Sequence, residues 1–186
     1  MLLPLFSTTA TIPLLKRFRR SRRASSAVEF ALIAPMFFAM LFALFETALI
    51  FFAGQVLENG IQDSGRLIYT DQAQNASMSQ SAFKTDLCNR VSQLFSCGGI
   101  NIDVQSYPPG TVIPTSAPYD ANGNPTATMA WNVPAPNSRS TVVIRAFYQW
   151  PLVVTQLGYN IANVNRNMSD SKRLMVATAA FRVEPR

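Results

Sequence analysis

From residue 27 the chain reads AVEFALIAPMFFAMLFALFETALIFFAG, an apolar run that constrains everything placed on either side of it. The hydrocarbon core of a bilayer is about 30 Å thick and takes about 20 helical residues to cross. Residues 31–53 supply 23, of which only Pro35, Glu46 and Thr47 are not apolar. The run is apolar on all sides, which separates it from an amphipathic surface helix. A buried helix of a soluble core shares that composition. Here, however, Lys16, Arg17, Arg19, Arg20, Arg22 and Arg23 stand just before the run, and no comparable cluster follows it. Positive residues beside a span are retained in the cytoplasm. The expectation is a single-pass helix in a bacterial inner membrane, with a cytoplasmic N-terminus and the bulk of the chain periplasmic.

The same six residues account for the whole net charge of +6, since ten basic and ten acidic residues follow Arg23. A nucleic-acid binder spreads its basic residues over a folded face that tracks phosphates. No nucleic-acid partner is expected. A secretory signal peptide has the same basic-then-apolar order, but its apolar part runs to about 7–15 residues. Phe52-Ala53-Gly54 is a weak match to a cleavage site, so a retained helix is favoured.

Two acids interrupt the run. A carboxylate deep in a bilayer costs several kcal/mol unless paired or neutralised, so each acid calls for a function. Glu29 stands near the cytoplasmic edge, and Glu46 lies 17 residues further along. At 3.6 residues per turn the two point about 100° apart, so one partner does not meet both. Glu46 is expected either to reach outward, to be protonated, or to contact a partner helix inside the membrane. Pro35 lacks the backbone donor that would bond the carbonyl of Ala31, and is expected to kink or loosen the helix.

The stretch Arg22-Arg23-Ala24-Ser25-Ser26-Ala27-Val28-Glu29-Phe30-Ala31-Leu32-Ile33-Ala34-Pro35 resembles the start of TadE-like proteins. These are minor pilins or pseudopilins of the Tad (tight adherence, Flp) pilus system, a branch of the type IV pilus superfamily. Phe45-Glu46, Ser64-Gly65-Arg66-Leu67-Ile68-Tyr69-Thr70, Cys88 with Cys97, and Ala177-Thr178-Ala179-Ala180-Phe181-Arg182-Val183-Glu184-Pro185 resemble further parts of the family. The likeness covers roughly residues 22–106 and 174–186.

The resemblance implies that a prepilin peptidase cuts between Ala24 and Ser25, leaving Glu29 as the fifth residue. A carboxylate there pairs with the freed N-terminal amine of a neighbouring subunit, and such a pair is stronger in a low dielectric than in water. It also implies packing against other pilins and contact with a pilus assembly platform. Ala24 departs from the family, which carries Gly before the cut. Three roles stay open: a processed minor pilin, an unprocessed scaffold of the secretion machinery, and a membrane-tethered adhesin.

Beyond the span, Val56, Leu57, Ile61, Ser64, Leu67 and Ile68 recur near helical spacing, which predicts a stalk continuing to about Tyr69. Residues 71–81 are rich in Gln, Asn and Ser and read as a linker. Phe83, Leu87, Val91, Leu94 and Phe95 predict a short amphipathic helix over 81–96. Strands are predicted over 100–106, 141–150 and 174–183, with Val142, Ile144 and Phe147 buried and Pro151 ending the second. Seven of the twelve prolines fall in 108–136, an irregular stretch that reads as a partner-specific loop. The fold class is α+β: a long N-terminal transmembrane helix running into a stalk, then a small antiparallel domain. The organisation is a leader over 1–24, helix and stalk over 25–70, and a periplasmic domain over 71–186 with a long proline-rich loop at 108–140. Outside the cytoplasm, Cys88 and Cys97 read as a disulfide.

The sequence carries no histidine, which removes the commonest general base. Two cysteines without histidine do not make a usual zinc set. Cys97-Gly98-Gly99 is a turn rather than a phosphate cradle. Asp86, Asp103, Asp120, Asp170 and Glu184 show no paired spacing and are expected mostly on the surface. No catalytic residue, cofactor or metal is assigned, and no enzyme is expected. Asn75-Ala76-Ser77 and Asn167-Met168-Ser169 match a glycosylation pattern too common to count.

Overall fold

The computed structural model describes residues 22–135, 138–157, 159–166 and 170–183. Most of the basic leader, the sequon at 167–169 and Glu184 lie outside them. The described elements are helices α1 (Arg22–Tyr69), α2 (Gln72–Asn75) and α3 (Gln80–Val91) and strands β1 (Asn101–Tyr107), β2 (Thr141–Pro151) and β3 (Lys172–Arg182). Single 3-10 turns stand at Cys97–Gly99 and Val154–Leu157. The strands form one antiparallel sheet in the order β1-β2-β3. This is the α+β class predicted.

The chain divides into two compact units after Leu44, and α1 contributes to both. In the first unit α1 keeps its helical assignment through Pro35, and Val28, Phe30, Leu32, Ile33 and Met36 are all exposed. Among the described residues α1 is the one helix long and apolar enough to cross a membrane. It is a helix with no protein core around its first half.

In the second unit α1 becomes amphipathic. Glu46, Ala53, Leu57, Ile61, Ser64 and Ile68 are buried at intervals that keep them on one face. That face meets the sheet: a side-chain carbon added at Gly65 would lie 3.2 Å from Ile144 and 3.6 Å from Phe181. One at Gly60 would lie 2.6 Å from Val91, so glycine lets α3 close against α1. Ser64 Oγ donates to Asp86 Oδ2 at 2.8 Å and ties the same two helices.

Beyond Tyr69 the chain reverses at Asp71, which adopts φ 59°, a conformation Asp tolerates better than most residues. The predicted linker holds the four-residue α2, and α3 begins behind Ser79, whose hydroxyl accepts the amide of Ala82. The helix predicted over 81–96 ends earlier, at Val91. Leu94 and Phe95 turn instead, both bonding the carbonyl of Val91. That turn brings the Phe95 ring edge-on to Tyr148, 4.9 Å between centroids. It also brings Cys97 back to Cys88, with the Cα atoms 5.6 Å apart, and the two form the predicted disulfide.

The β-prone sequence of β2 offers Val142, Ile144 and Phe147 as candidates for burial. The structure buries all six residues from Val142 to Phe147, because both faces are covered. One face meets α1 and α3. The other lies beneath the proline-rich stretch, which rejoins the sheet as a short parallel bridge of Trp131 to Val104. β3 keeps the alternation of a strand covered on one side, with Ala177 buried and Val176 exposed.

The disulfide closes a loop of about ten residues, an entropic stabilisation of about 2–3 kcal/mol. Replacing Cys88 and Cys97 together by Ser should lower unfolding stability by about that amount. Denaturant titration of the detergent-extracted chain, comparing variant and oxidised parent, reads the difference.

Candidate assembly site

The residues that the sequence singles out fall into separate places. Ala24 and Ser25 lie in the first turns of α1. Ser25 Oγ donates to Glu29 Oε1 at 3.2 Å, one helical turn on, and both side chains are exposed. Glu29 is thus a carboxylate with one local partner on an otherwise apolar, exposed segment. Such a group is a ready acceptor for a cation brought by a second helix.

Glu46 has its hydrogen-bond partners within the chain. It stands in the second unit, 7% exposed, and its carboxylate accepts amide hydrogens from within the chain. Val153 N donates to Oε1 at 2.5 Å, and Val154 N lies 3.2 and 3.3 Å from the two oxygens. These are the amides at the mouth of the Val154–Leu157 turn, where no helical partner exists for them. One step along α1, Thr47 Oγ1 and Tyr159 Oη share a hydrogen bond at 3.2 Å. Glu46 is the fastening point of a turn that arrives 107 residues later.

One acid departs from expectation. Asp103, read as surface, is 1% exposed. Its Oδ2 accepts from Arg145 Nη2 at 2.7 Å and Nε at 3.2 Å, and its Oδ1 accepts the amide of Ala130 at 2.9 Å. Arg145 also donates to the carbonyls of Ser116 and Pro114. The pair therefore staples the proline-rich stretch to the sheet at three places. The Tyr119 ring packs against Phe147 at a tilt, 5.3 Å between centroids, and Gln149 donates to the carbonyl of Gly123 at 2.6 Å. Gly123 has φ +80° and lies against Val164, so a side chain fits neither its backbone nor its space. The sequence does carry a signal for the staple: Asp103 and Arg145 each interrupt an apolar strand in mid-course.

The cleft between this stretch and the sheet is about 260 Å³ and includes Asp103, Arg145, Pro114 and Ser116. That is below the usual size of a small-molecule pocket, and its charged groups are consumed by each other and by backbone. No group of three or more potential metal ligands occurs among the described residues.

Three half-buried polar groups, Asp86, Tyr119 and Asp120, serve local structure. Burial pushes the Asp86 carboxyl up, but bonds from Arg90 and Ser64 outweigh it and hold it below the ordinary carboxylate value. Backbone and side-chain donors of Asn124, with the amide of Asn122, hold Asp120 low in the same way. Burial raises the Tyr119 phenol despite its bond from Asn101.

Residues 24–66 match the family model described as TadE-like protein. The segment is TadE-like. The match begins at Ala24 and runs to Arg66, taking in Glu29, Pro35 and Glu46, which bears out the resemblance read from the N-terminal motif. No curated protein and no solved structure matches the chain. The matched segment lies within α1, the one described helix long and apolar enough to cross a membrane.

Arg145→Met should cost about 3–5 kcal/mol of stability, because it leaves Asp103 buried without its counter-charge. Adding Asp103→Asn to that variant should recover a clear part of the loss. Denaturant titration of the single and double variants checks both outcomes.

Proposed function

We propose that this chain is a minor pilin of a Tad/Flp-type pilus, held in the bacterial inner membrane by α1 until it joins a filament. The carrying observation is the TadE-like segment at 24–66, with Glu29 exposed on an apolar helix five positions past the Ala24–Ser25 junction. In this reading the prepilin peptidase removes the basic leader. The new ammonium of Ser25 then seeks a carboxylate, and Glu29 of a neighbouring subunit supplies it as the helices dock. The exposed apolar residues of the first unit exchange lipid for the same residues of other pilins. The basic leader stays on the cytoplasmic side, and residues 71–186 lie in the periplasm, an oxidising compartment in which the Cys88–Cys97 disulfide persists.

The role is structural. Among the described residues, Asp103 and Arg145 fasten the proline-rich stretch and Asp86 ties α1 to α3. Contacts with the assembly platform fall to the TadE-like segment, and partner-specific contacts to the outward side of the proline-rich stretch.

A second reading is favoured by one residue. Ala24 adds a methyl group where the peptidase of this class meets Gly. An uncut chain would be a permanent single-pass scaffold of the secretion machinery, contacting its components through the same helix.

N-terminal sequencing of the membrane-extracted protein separates the two. With the prepilin peptidase present, the chain should begin Ser25-Ser26-Ala27-Val28-Glu29; without it, the leader should remain. A leader retained in both cases overturns the processed pilin and leaves the scaffold.

A further inference from the structure

Glu46 opens the buried stripe of α1, while neighbours about a quarter-turn round the helix stay in the open. Phe45, Leu49 and Phe52, spaced four and three residues apart, share one face and are 58, 52 and 58% exposed. They belong to the second unit and directly follow residues 25–44, in which only Ser25, Ser26, Glu29 and Pro35 are not apolar. Those 20 residues, with Phe45 itself, already suffice for a hydrocarbon core of about 30 Å. The apolar surface of the outer unit thus begins where the span has reached its length.

The turn held by Glu46 has the same character. Val153, whose amide Glu46 accepts, is 79% exposed, an unusual degree for a β-branched apolar side chain at the tip of a fastened turn. Tyr159 is 41% exposed and holds Thr47 through its hydroxyl, leaving its ring as apolar surface. No Asp, Glu, Lys or Arg occurs from Pro151 to Asn165, whereas Arg166, Asp170, Lys172 and Arg173 crowd in directly after. Connections between strands are ordinarily polar and charged; this one carries no charge from Pro151 to Asn165. Tyrosines with a bonded hydroxyl and an apolar ring are enriched at the boundary of headgroups and acyl chains.

We propose that Val153 and Tyr159, together with Phe45, Leu49 and Phe52, form a lipid-seated foot in the outer leaflet boundary. The carboxylate of Glu46 holds the foot at a fixed level on α1. The ligand is the lipid interface itself. The foot sets how deep the outer domain sits and gives Glu46 a role independent of any partner helix. The apolar face on α1 is continuous along the chain with the span, which favours lipid over a soluble ligand. The inference rests on membrane anchoring by residues 25–44.

The test uses the full chain, with its disulfide intact, in phosphatidylcholine–phosphatidylglycerol nanodiscs. Single nitroxide labels are placed through Val153→Cys, Thr126→Cys and Phe38→Cys. The label at 38 should collide with oxygen far more than with a nickel chelate, and the label at 126 should show the reverse. The label at 153 should side with oxygen, at a shallower depth than 38. Adding Glu46→Leu should turn the label at 153 aqueous; a label still in lipid would overturn the holding role of Glu46. An aqueous label at 153 with an embedded label at 38 overturns the foot alone. A label at 153 shielded from both reagents marks a protein neighbour and overturns a lipid seat. An aqueous label at 38 overturns anchoring, and the foot with it.

Discussion

The structure depends on how one helix meets two surroundings. Over its first half α1 exposes apolar side chains on every side; from Glu46 onward it buries a single stripe against a sheet. The change happens at a carboxylate. A buried acid with no partner would cost several kcal/mol, and this one is satisfied by two backbone amides that lack partners of their own. Glu46 is therefore both the first residue of the core stripe and the acceptor that fixes the Val154–Leu157 turn. Without it, the long connection from β2 to β3 would lose its attachment to α1 at this point.

Acids recur as fasteners for backbone. Asp103 accepts the amide of Ala130 and brings the proline-rich stretch back to β1. Glu58, on α1, accepts the amide of Thr178 on β3 at 3.1 Å. Since β3 is an edge strand, that bond occupies one of the positions at which another strand would pair. In each case a charge lies on a regular element and its target on a segment that regular hydrogen bonding leaves open. A chain with few charges thereby positions irregular segments, and a helix shared between membrane and domain is held to that domain by side-chain bonds as well as by packing.

Much of this was legible in the chain itself. The apolar run, the end of α1 at Tyr69 and the three strands to within two residues follow from periodicity, because local burial patterns determine them. The disulfide follows from compartment and spacing. The partners of the acids were not legible. Asp103 and Arg145 are 42 residues apart, and Glu46 reaches amides 107 residues on; neither distance leaves a periodic trace. Hydropathy does not distinguish a helix face turned to lipid from one turned to a small core, so the burial of Glu46 against the Val154–Leu157 turn leaves no trace in the sequence. The double burial of β2 escaped for a related reason: a proline-rich stretch reads as an exposed loop, yet it is stapled over the sheet.

The central claim is that Glu46 fastens the outer unit to α1 through the amides of Val153 and Val154. Amide hydrogen exchange of the full chain in nanodiscs, resolved by NMR, addresses it directly. Both amides should be protected in the parent and should exchange fast in Glu46→Leu, while the amides of Ile144 and Ala146 in β2 keep their protection. Fast exchange at Val153 and Val154 in the parent, or unchanged protection in the variant, would contradict it.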